Sequence, residues 1–235
     1  MLDADGYEAV SFDCYGTLID WEGGIITGLR PVFENHGVEA TDDEILALHA
    51  ETEHKLQSSS APGSYVKYRK ILGEEVREAG RRWGFEPDPS EIDALADSLR
   101  HWKPFPDTVE ALRRLKSRYR LAIISNVDDG LFALTACHLE VEFDWIITAE
   151  QAGTYKPSTN NFEVAIARMR VARDKLLHAA ESLFHDVVPA KELGLSTVWV
   201  HRRAGKEGFG ATPPSDTEPD FVVPDLTTLA SEMGV

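Results

Sequence analysis

The amino-acid sequence predicts an α/β protein with a doubly wound parallel sheet and an inserted block of helices. Short apolar runs typical of buried strands alternate with helical patterns from about residue 107 onward. One similar run, containing Val10 and Phe12, stands apart near the start of the chain. Between the two regions, the apolar residues follow helical spacing only. The simplest interpretation is a parallel sheet whose first crossover is interrupted by a helical cap.

The helical block begins with a pattern over residues 21–36 that ends at Gly37, a residue typical of helix C-termini. Thr41 and the three acidic residues after it are typical of a helix N-terminus. The remaining helices of the block are predicted over residues 46–57, 66–83 and 91–99. No strand pattern interrupts them.

Pro104 and Pro106 mark the end of the block, because two closely spaced prolines break a helix and form a stiff connector. Asp107 follows as the predicted cap of the next helix, whose apolar residues share one face. We therefore predict a core formed by residues 1–20 and 103–235, and a helical cap formed by residues 21–102.

The rest of the core is predicted to alternate strands and helices, as a parallel sheet requires. The predicted strands lie at residues 120–125, 145–149, 176–180 and 196–201, and the helices between them at 130–138, 161–169 and 189–193. A long loop over residues 202–224 contains a short edge strand at 221–223, and a helix at 226–233 closes the chain.

Composition excludes several classes of protein. A chain of 235 residues with 43% hydrophobic content can bury a full core. A formal net charge of -16 repels phosphate backbones, so no nucleic-acid partner is expected. The sequence has neither an N-terminal signal pattern nor a long apolar run, so we expect a cytoplasmic protein with no membrane partner. Two cysteines, Cys14 and Cys137, are too few for a disulfide scaffold or a zinc cluster.

Polar residues follow four of the predicted strands or the loops beside them. They are Asp13-Cys14-Tyr15-Gly16-Thr17, Ser125-Asn126, Tyr155-Lys156-Pro157, and Ala180-Glu181-Ser182 with Asp186. Because the carboxyl ends of parallel strands meet at one edge of a sheet, we expect a carboxylate nucleophile, hydroxyl and amide donors, an amine and further acids to share one cleft. For residues 13–16 alone, a simple strand-ending turn is an equally good interpretation.

In order and spacing these four motifs resemble those of the haloacid dehalogenase superfamily. The Asp-any-Tyr-Gly-Thr form of the first motif is similar to the 2-haloacid dehalogenase branch. Within that branch the sequence is most similar to the L-azetidine-2-carboxylate hydrolases, a likeness that extends through residues 12–21, 125–126, 155–157, 180–186, 202–203 and 205–208. The resemblance implies a hydrolase with a Rossmann-like core, and it leaves a homodimer open because dimers are common among the relatives.

The resemblance also implies covalent catalysis by an aspartate. Asp13 is expected to attack an electrophilic carbon or phosphorus and form an ester, and Asp186 to activate the water that opens it. Lys156 is expected to hold Asp13 ionised, and Thr17 completes the catalytic set. The predicted substrate-binding residues are Tyr15, Trp21, Ser125 and Asn126, of which the last two would hydrogen-bond the oxygens of the substrate.

Tyr15 separates two chemistries. Phosphatases of this superfamily carry a second aspartate here, which protonates the leaving oxygen, whereas a halide needs no acid. Tyrosine at this position therefore favours attack on carbon, with no cofactor. The alternative is a Mg²⁺-dependent phosphatase of small phosphoesters, in which the metal would be bound by Asp13, the Tyr15 carbonyl, Glu181 and Asp186. A third interpretation is a catalytically silent binding protein.

Two departures from the dehalogenase pattern concern the cleft. Residues 31–68 contain no arginine, although dehalogenases place a halide-binding arginine in the early cap, and Phe162 replaces a tyrosine. Glu181 stands where dehalogenases have a neutral residue. A cationic leaving amine is compatible with Glu51 or Glu53 in the same region. We therefore predict displacement of a halide or a strained ring amine from C2 of a small carboxylic acid, with residues 205–210 as a weaker hypothesis for a lid.

Overall fold

The computed structural model of the protein describes residues 4–58, 65–205 and 212–235. Six parallel strands form one sheet in the order β3-β2-β1-β4-β5-β6. Their bounds are β1 Ala9–Phe12, β2 Arg120–Ser125, β3 Trp145–Thr148, β4 Leu176–Ala180, β5 Ser196–Val200 and β6 Phe221–Val223. The direction of winding reverses between β1 and β4, and open α/β sheets form their ligand crevice at such a point.

The described residues form four α-helices between residues 21 and 98 and six more from residue 108 onward. The first four are α1 Trp21–Asn35, α2 Asp42–Ser58, α3 Tyr68–Trp83 and α4 Ala94–Ser98. The others are α5 Thr108–Lys116, α6 Asp129–Ala136, α7 Ala149–Ala152, α8 Asn160–Met169, α9 Val188–Glu192 and α10 Leu226–Glu232. Among the described residues from 21 to 102, no segment forms a strand of the sheet. The predicted fold class, a doubly wound parallel sheet interrupted by helices, is confirmed.

Most predicted elements end within three residues of the observed ones, but three differ in kind. The predicted helix over residues 91–99 is the short α4 followed by a 3₁₀ turn, Leu99–His101. The four-residue helix α7 was not predicted. A π-helical turn, Leu183–Val187, precedes α9, where the sequence analysis predicts no regular structure.

Successive side chains of a strand point to opposite faces of the sheet. Here both faces are buried, each in its own apolar cluster. In β2, Ile123 belongs to the larger apolar cluster, which also contains Ile25 and Leu72 of the helical block. Its neighbour Ile124 belongs to the second cluster, together with Phe162 of α8. The helical block and the first face of the sheet therefore share one continuous core.

The chain crosses between the sheet and the helical block at two adjacent points. Ile19 and Pro104 form an antiparallel bridge, and the N–H of Asp20 donates to the carbonyl of Lys103 at 2.9 Å. The predicted boundaries, after residue 20 and before residue 103, fall at this bridge. The division into two domains itself stays a prediction. None of the helices in the described ranges has the length and apolar character needed to cross a bilayer.

Candidate active site

A buried amine joins two carboxylates at the carboxyl edge of the sheet. Asp13 directly follows β1, Asp186 lies in the turn after β4, and Lys156 lies in the loop between α7 and α8. The Lys156 Nζ donates to Asp13 Oδ1 at 2.9 Å and to Asp186 Oδ1 at 2.6 Å. Its third hydrogen bond, also 2.9 Å, goes to the carbonyl of Ile124 in β2. All three N–H groups of this ammonium are thus used within the protein.

Burial and neighbouring charges shift the pKa values of Asp13 and Asp186 in opposite directions. Burial raises the pKa of Asp13 above its ordinary value, although Lys156 and Thr17 oppose the shift. Burial acts in the same direction on Asp186, but there Lys156 and His178 outweigh it and the pKa is lowered. Burial lowers the pKa of Lys156, but the two carboxylates outweigh burial and raise it. The arrangement keeps an ammonium beside an ionised Asp186, and Asp13 is the acid that protonates more readily.

Thr17 and Gly16 fix the turn that carries Asp13. The Thr17 hydroxyl donates to Asp13 Oδ2 at 2.8 Å and accepts from the N–H of Glu181 at 2.9 Å. Gly16 has a φ of +94°, and a Cβ at this position would lie 2.9 Å from Nε1 of Trp21. A side chain there would displace the indole from the cleft.

Three of the predicted substrate-binding residues, Tyr15, Trp21 and Ser125, line the same small cavity as Asp13, a space of about 50 Å³. The Tyr15 hydroxyl forms a 2.8 Å hydrogen bond with the hydroxyl of Thr135. Ser125 is 1% exposed, and within the described part of the chain its Oγ has no hydrogen-bond partner. A buried hydroxyl without a partner in the wall of a cavity is available to a ligand.

Asn126 lines this cavity too, but its side chain is engaged with the main chain of Lys156. Its Oδ1 accepts from the N–H of Lys156 at 2.7 Å, and its Nδ2 donates to the Lys156 carbonyl at 3.0 Å. This pair of hydrogen bonds holds the loop that carries the amine. Direct contact of Asn126 with a substrate stays a prediction.

Glu181 lies in the wall of the cavity, at the end of β4. Burial, and then the charges of Glu22 and Asp13, raise its pKa to about 7. Within residues 4–58, 65–205 and 212–235, no three His, Cys, Asp or Glu side chains are grouped so that they could hold a metal ion. The Lys156 amine bonds to both Asp13 and Asp186, and both the Mg²⁺ site of the phosphatase alternative and the absence of a cofactor stay predictions.

A second ionisable cluster faces the cavity from the helical block. Its members are Glu53 and His49 of α2 and Tyr68 and Glu75 of α3. The Tyr68 hydroxyl donates to Glu53 Oε1 at 2.8 Å. His49 Nδ1 lies 2.9 Å from Glu75 Oε2, and His49 Nε2 lies 3.7 Å from Glu53 Oε2. Burial lowers the pKa of His49, but Glu75 and Glu53 outweigh it and raise the pKa to about 9, so the ring is cationic at neutral pH.

The structure distinguishes the two glutamates that the sequence analysis considers for a cationic group. Glu53 is 7% exposed and lines the cavity. Glu51 has a side chain that is 68% exposed and pairs with Arg82 at 3.1 Å on the outside of the helical block. Only Glu53 is placed to contact a molecule beside Asp13.

Sequence reasoning missed His178, a polar residue inside the buried strand β4. Its Nε2 lies 3.0 Å from Asp186 Oδ1, and its Nδ1 lies 2.9 Å from the hydroxyl of Ser11. A ring protonated on Nε2 donates to Asp186. The available signal was a single histidine within an otherwise apolar five-residue strand.

His185 also lines the cavity, two residues from the start of the π-helical turn. Burial lowers its pKa, so the ring is neutral at pH 7. The predicted lid falls mostly on residues 206–210, which lie outside the described residues.

The sequence is similar to those of known hydrolases over most of its length. The sequence profile of the haloacid dehalogenase-like hydrolases matches residues 7–194. An (S)-2-haloacid dehalogenase of Pseudomonas putida is 28% identical over 211 residues, which cover 88% of this chain and 91% of the relative. A haloacetate dehalogenase of Moraxella sp. (strain B) is 26% identical, with 97% of this chain and 98% of the relative covered.

Among solved structures, the L-2-haloacid dehalogenase of Xanthobacter autotrophicus with chloropropionic acid covalently bound superimposes with a TM-score of 0.79. The match covers 96% of this chain and 97% of the other, at 23% sequence identity. At this identity the likeness concerns the fold alone.

Proposed function

Because this chain belongs to the haloacid dehalogenase-like hydrolase family, we propose that it hydrolyses small 2-substituted carboxylic acids through an ester on Asp13. The observation that carries the proposal is the placement of Asp13 in the wall of a small cavity, where Lys156 and Thr17 hold it. The same wall contains the Ser125 hydroxyl, which has no hydrogen-bond partner among the described residues. The curated relatives named above are dehalogenases of such acids, which supports this substrate class.

In the first step, a carboxylate oxygen of Asp13 attacks C2 of the substrate. A carbon–oxygen bond forms as the bond from C2 to the leaving group breaks, and the leaving group departs with the electron pair. Thr17 and Lys156 orient the nucleophile through one hydrogen bond to each of its oxygens. Ser125 is the proposed donor to the carboxylate of the substrate.

In the second step, water attacks the carbonyl carbon of the ester, and Asp186 accepts its proton. The hydroxy acid leaves with the oxygen that Asp13 supplied, and the carboxylate is restored. His178, which is not among the residues that line the cavity, holds Asp186 through the 3.0 Å contact. Asp186 is ionised when the step begins, because its pKa is lowered by Lys156 and His178 in spite of burial.

The leaving group is a halide or a strained ring amine such as that of azetidine-2-carboxylate. In ring opening, the protonated ring nitrogen takes the electron pair from C2 and becomes a neutral primary amine. It then takes up the proton released in ester hydrolysis, so azetidine-2-carboxylate and water give 4-amino-2-hydroxybutyrate. No external reductant, oxidant or metal is needed for this balance.

A panel of substrates tests the proposed reaction class. We expect turnover of 2-chloropropionate or azetidine-2-carboxylate without added metal, and none of p-nitrophenyl phosphate. The same panel is run with Mg²⁺ and with the Asp13→Asn variant as the inactive control. Robust Mg²⁺-dependent hydrolysis of the phosphoester, with no turnover of either carboxylic acid, would replace our proposal by the phosphatase alternative.

A further inference from the structure

We infer that the cavity selects substrates that carry a cationic nitrogen as well as a carboxylate, and that Glu53 of α2 is the residue that holds the nitrogen. This inference rests on the proposed function and deepens it, because it names the substrate class as zwitterionic 2-amino acids with a strained ring rather than simple anions.

The charges around the cavity argue against a simple anion. Four carboxyl groups line it, namely Asp13, Glu53, Glu181 and Asp186, and the described part of its wall contains one amine, Lys156. That amine already donates all three of its N–H groups to protein oxygens. His185 adds no charge, because burial lowers its pKa. An anion entering this space meets excess negative charge, whereas a zwitterion brings its own counter-charge.

Glu53 is held in place by a neutral partner and a cationic partner. Tyr68 donates to one oxygen, and the ring of His49 lies near the other. His49 is in turn paired with Glu75, which is fully buried and does not line the cavity. Two carboxylates around one imidazolium leave one negative charge, and the only carboxylate of the pair that reaches the cavity is Glu53.

Ser125, in the wall of the same cavity, offers the complementary group. The buried Ser125 hydroxyl has no protein partner among the described residues and lines the same cavity. A zwitterion spanning the cavity would place its carboxylate at this donor and its nitrogen at Glu53. A hydrogen bond between oppositely charged groups in a space shielded from water is stronger than one between neutral groups.

The chemistry predicts where the contribution of Glu53 appears. The ammonium loses its charge as it leaves C2, so Glu53 binds the ground state at least as strongly as the transition state. Such an interaction lowers KM and does not raise kcat. The geometry therefore assigns Glu53 to substrate selection.

Binding to an inactive enzyme tests this without turnover. Calorimetry on the Asp13→Asn protein compares azetidine-2-carboxylate with cyclobutanecarboxylate, which has the same ring size but no charged nitrogen. We expect the zwitterion to bind about tenfold or more tightly than the anion. Adding Glu53→Gln should remove this preference, and adding Glu51→Gln, the matched change on the exposed face of α2, should preserve it.

Equal or tighter binding of cyclobutanecarboxylate to the Asp13→Asn protein would overturn the inference. So would the same loss of preference in the Glu51→Gln and Glu53→Gln proteins. If Glu53→Gln does not fold, the comparison of the two probes on Asp13→Asn alone still decides. Because no step needs catalysis, this result is separate from the substrate panel, whose failure would concern the reaction at Asp13.

Discussion

At the residue scale, the proposed catalytic residues form a chain of hydrogen bonds in which each buried charge has a partner. It runs from Thr17 through Asp13, Lys156 and Asp186 to His178. Removing a member takes one buried partner away from its neighbour, which costs more than the loss of a surface interaction. The roles of these residues can therefore be tested one at a time.

His178 is proposed as a positioning residue for the second step. In His178→Gln, we expect kcat to fall by about tenfold, because Asp186 loses a donor that both orients it and lowers its pKa. Ester hydrolysis should slow more than ester formation, so the covalent intermediate should accumulate on the enzyme. Quenched-flow mass spectrometry of the intact protein measures this accumulation.

The matched control is His138→Gln, a change at a half-buried histidine that does not line the cavity and that should leave kcat unchanged. A purely structural role of His178 predicts lower stability with no accumulation of intermediate, and that outcome would contradict the assignment.

At the element scale, a residue outside the helical block sets the start of one helix of that block, α3. Asp128, in the loop after β2, accepts from the N–H groups of Tyr68 and Arg69, the first two residues of α3, at 2.9 Å each. A carboxylate at a helix N-terminus satisfies unpaired N–H groups and opposes the helix dipole. The helix begins at Tyr68 and not at the predicted residue 66 because its capping group comes from a distant part of the chain.

Asp128→Asn should lower the free energy of unfolding by about 1–2 kcal/mol, because the amide can accept only through one of its two ends. Urea unfolding followed by circular dichroism measures the change. Asp93→Asn is the control, since Asp93 is exposed and contacts the same residue, Arg69, only through its guanidinium. Equal effects of the two substitutions would show that capping from the core does not stabilise α3.

The difference between local sequence patterns and contacts between distant segments explains which elements could be predicted from the sequence. The strands β2, β4 and β6 match their predicted bounds because local apolar runs define them. The convergence of Asp13 and Lys156 followed from a general rule for parallel sheets. The cluster around Glu53 could not be predicted, because it depends on how α2 packs against α3. His178 was missed since its partner Asp186 lies beyond the end of its own strand.

At the scale of the whole molecule, the buried ion cluster in the cap links stability to pH. His49 titrates near pH 9 in the folded protein and near 6.5 when unfolded, so its contribution is complete below pH 6.5 and is lost as pH rises through 9. The free energy of unfolding should fall by up to about 3 kcal/mol over this range. Urea unfolding at a series of pH values measures the trend.

Glu181 changes the free energy of unfolding over a lower pH range than His49 does. Its raised pKa makes the folded state less stable as pH rises from about 4.5 to 7, so the range above pH 7 reports mainly on His49. A stability that stays constant between pH 7 and 9 would contradict an imidazolium held between Glu53 and Glu75.

The central claim is that the carboxylate of Asp13 itself becomes bonded to the substrate. The most direct test is a single turnover in water enriched in heavy oxygen, with enzyme in excess over 2-chloropropionate or azetidine-2-carboxylate, followed by mass spectrometry of the peptide that contains Asp13. We predict one heavy oxygen in that peptide and an unlabelled hydroxyl in the product. A labelled product hydroxyl with an unlabelled Asp13 would mean that water attacks the substrate directly, and it would contradict the account.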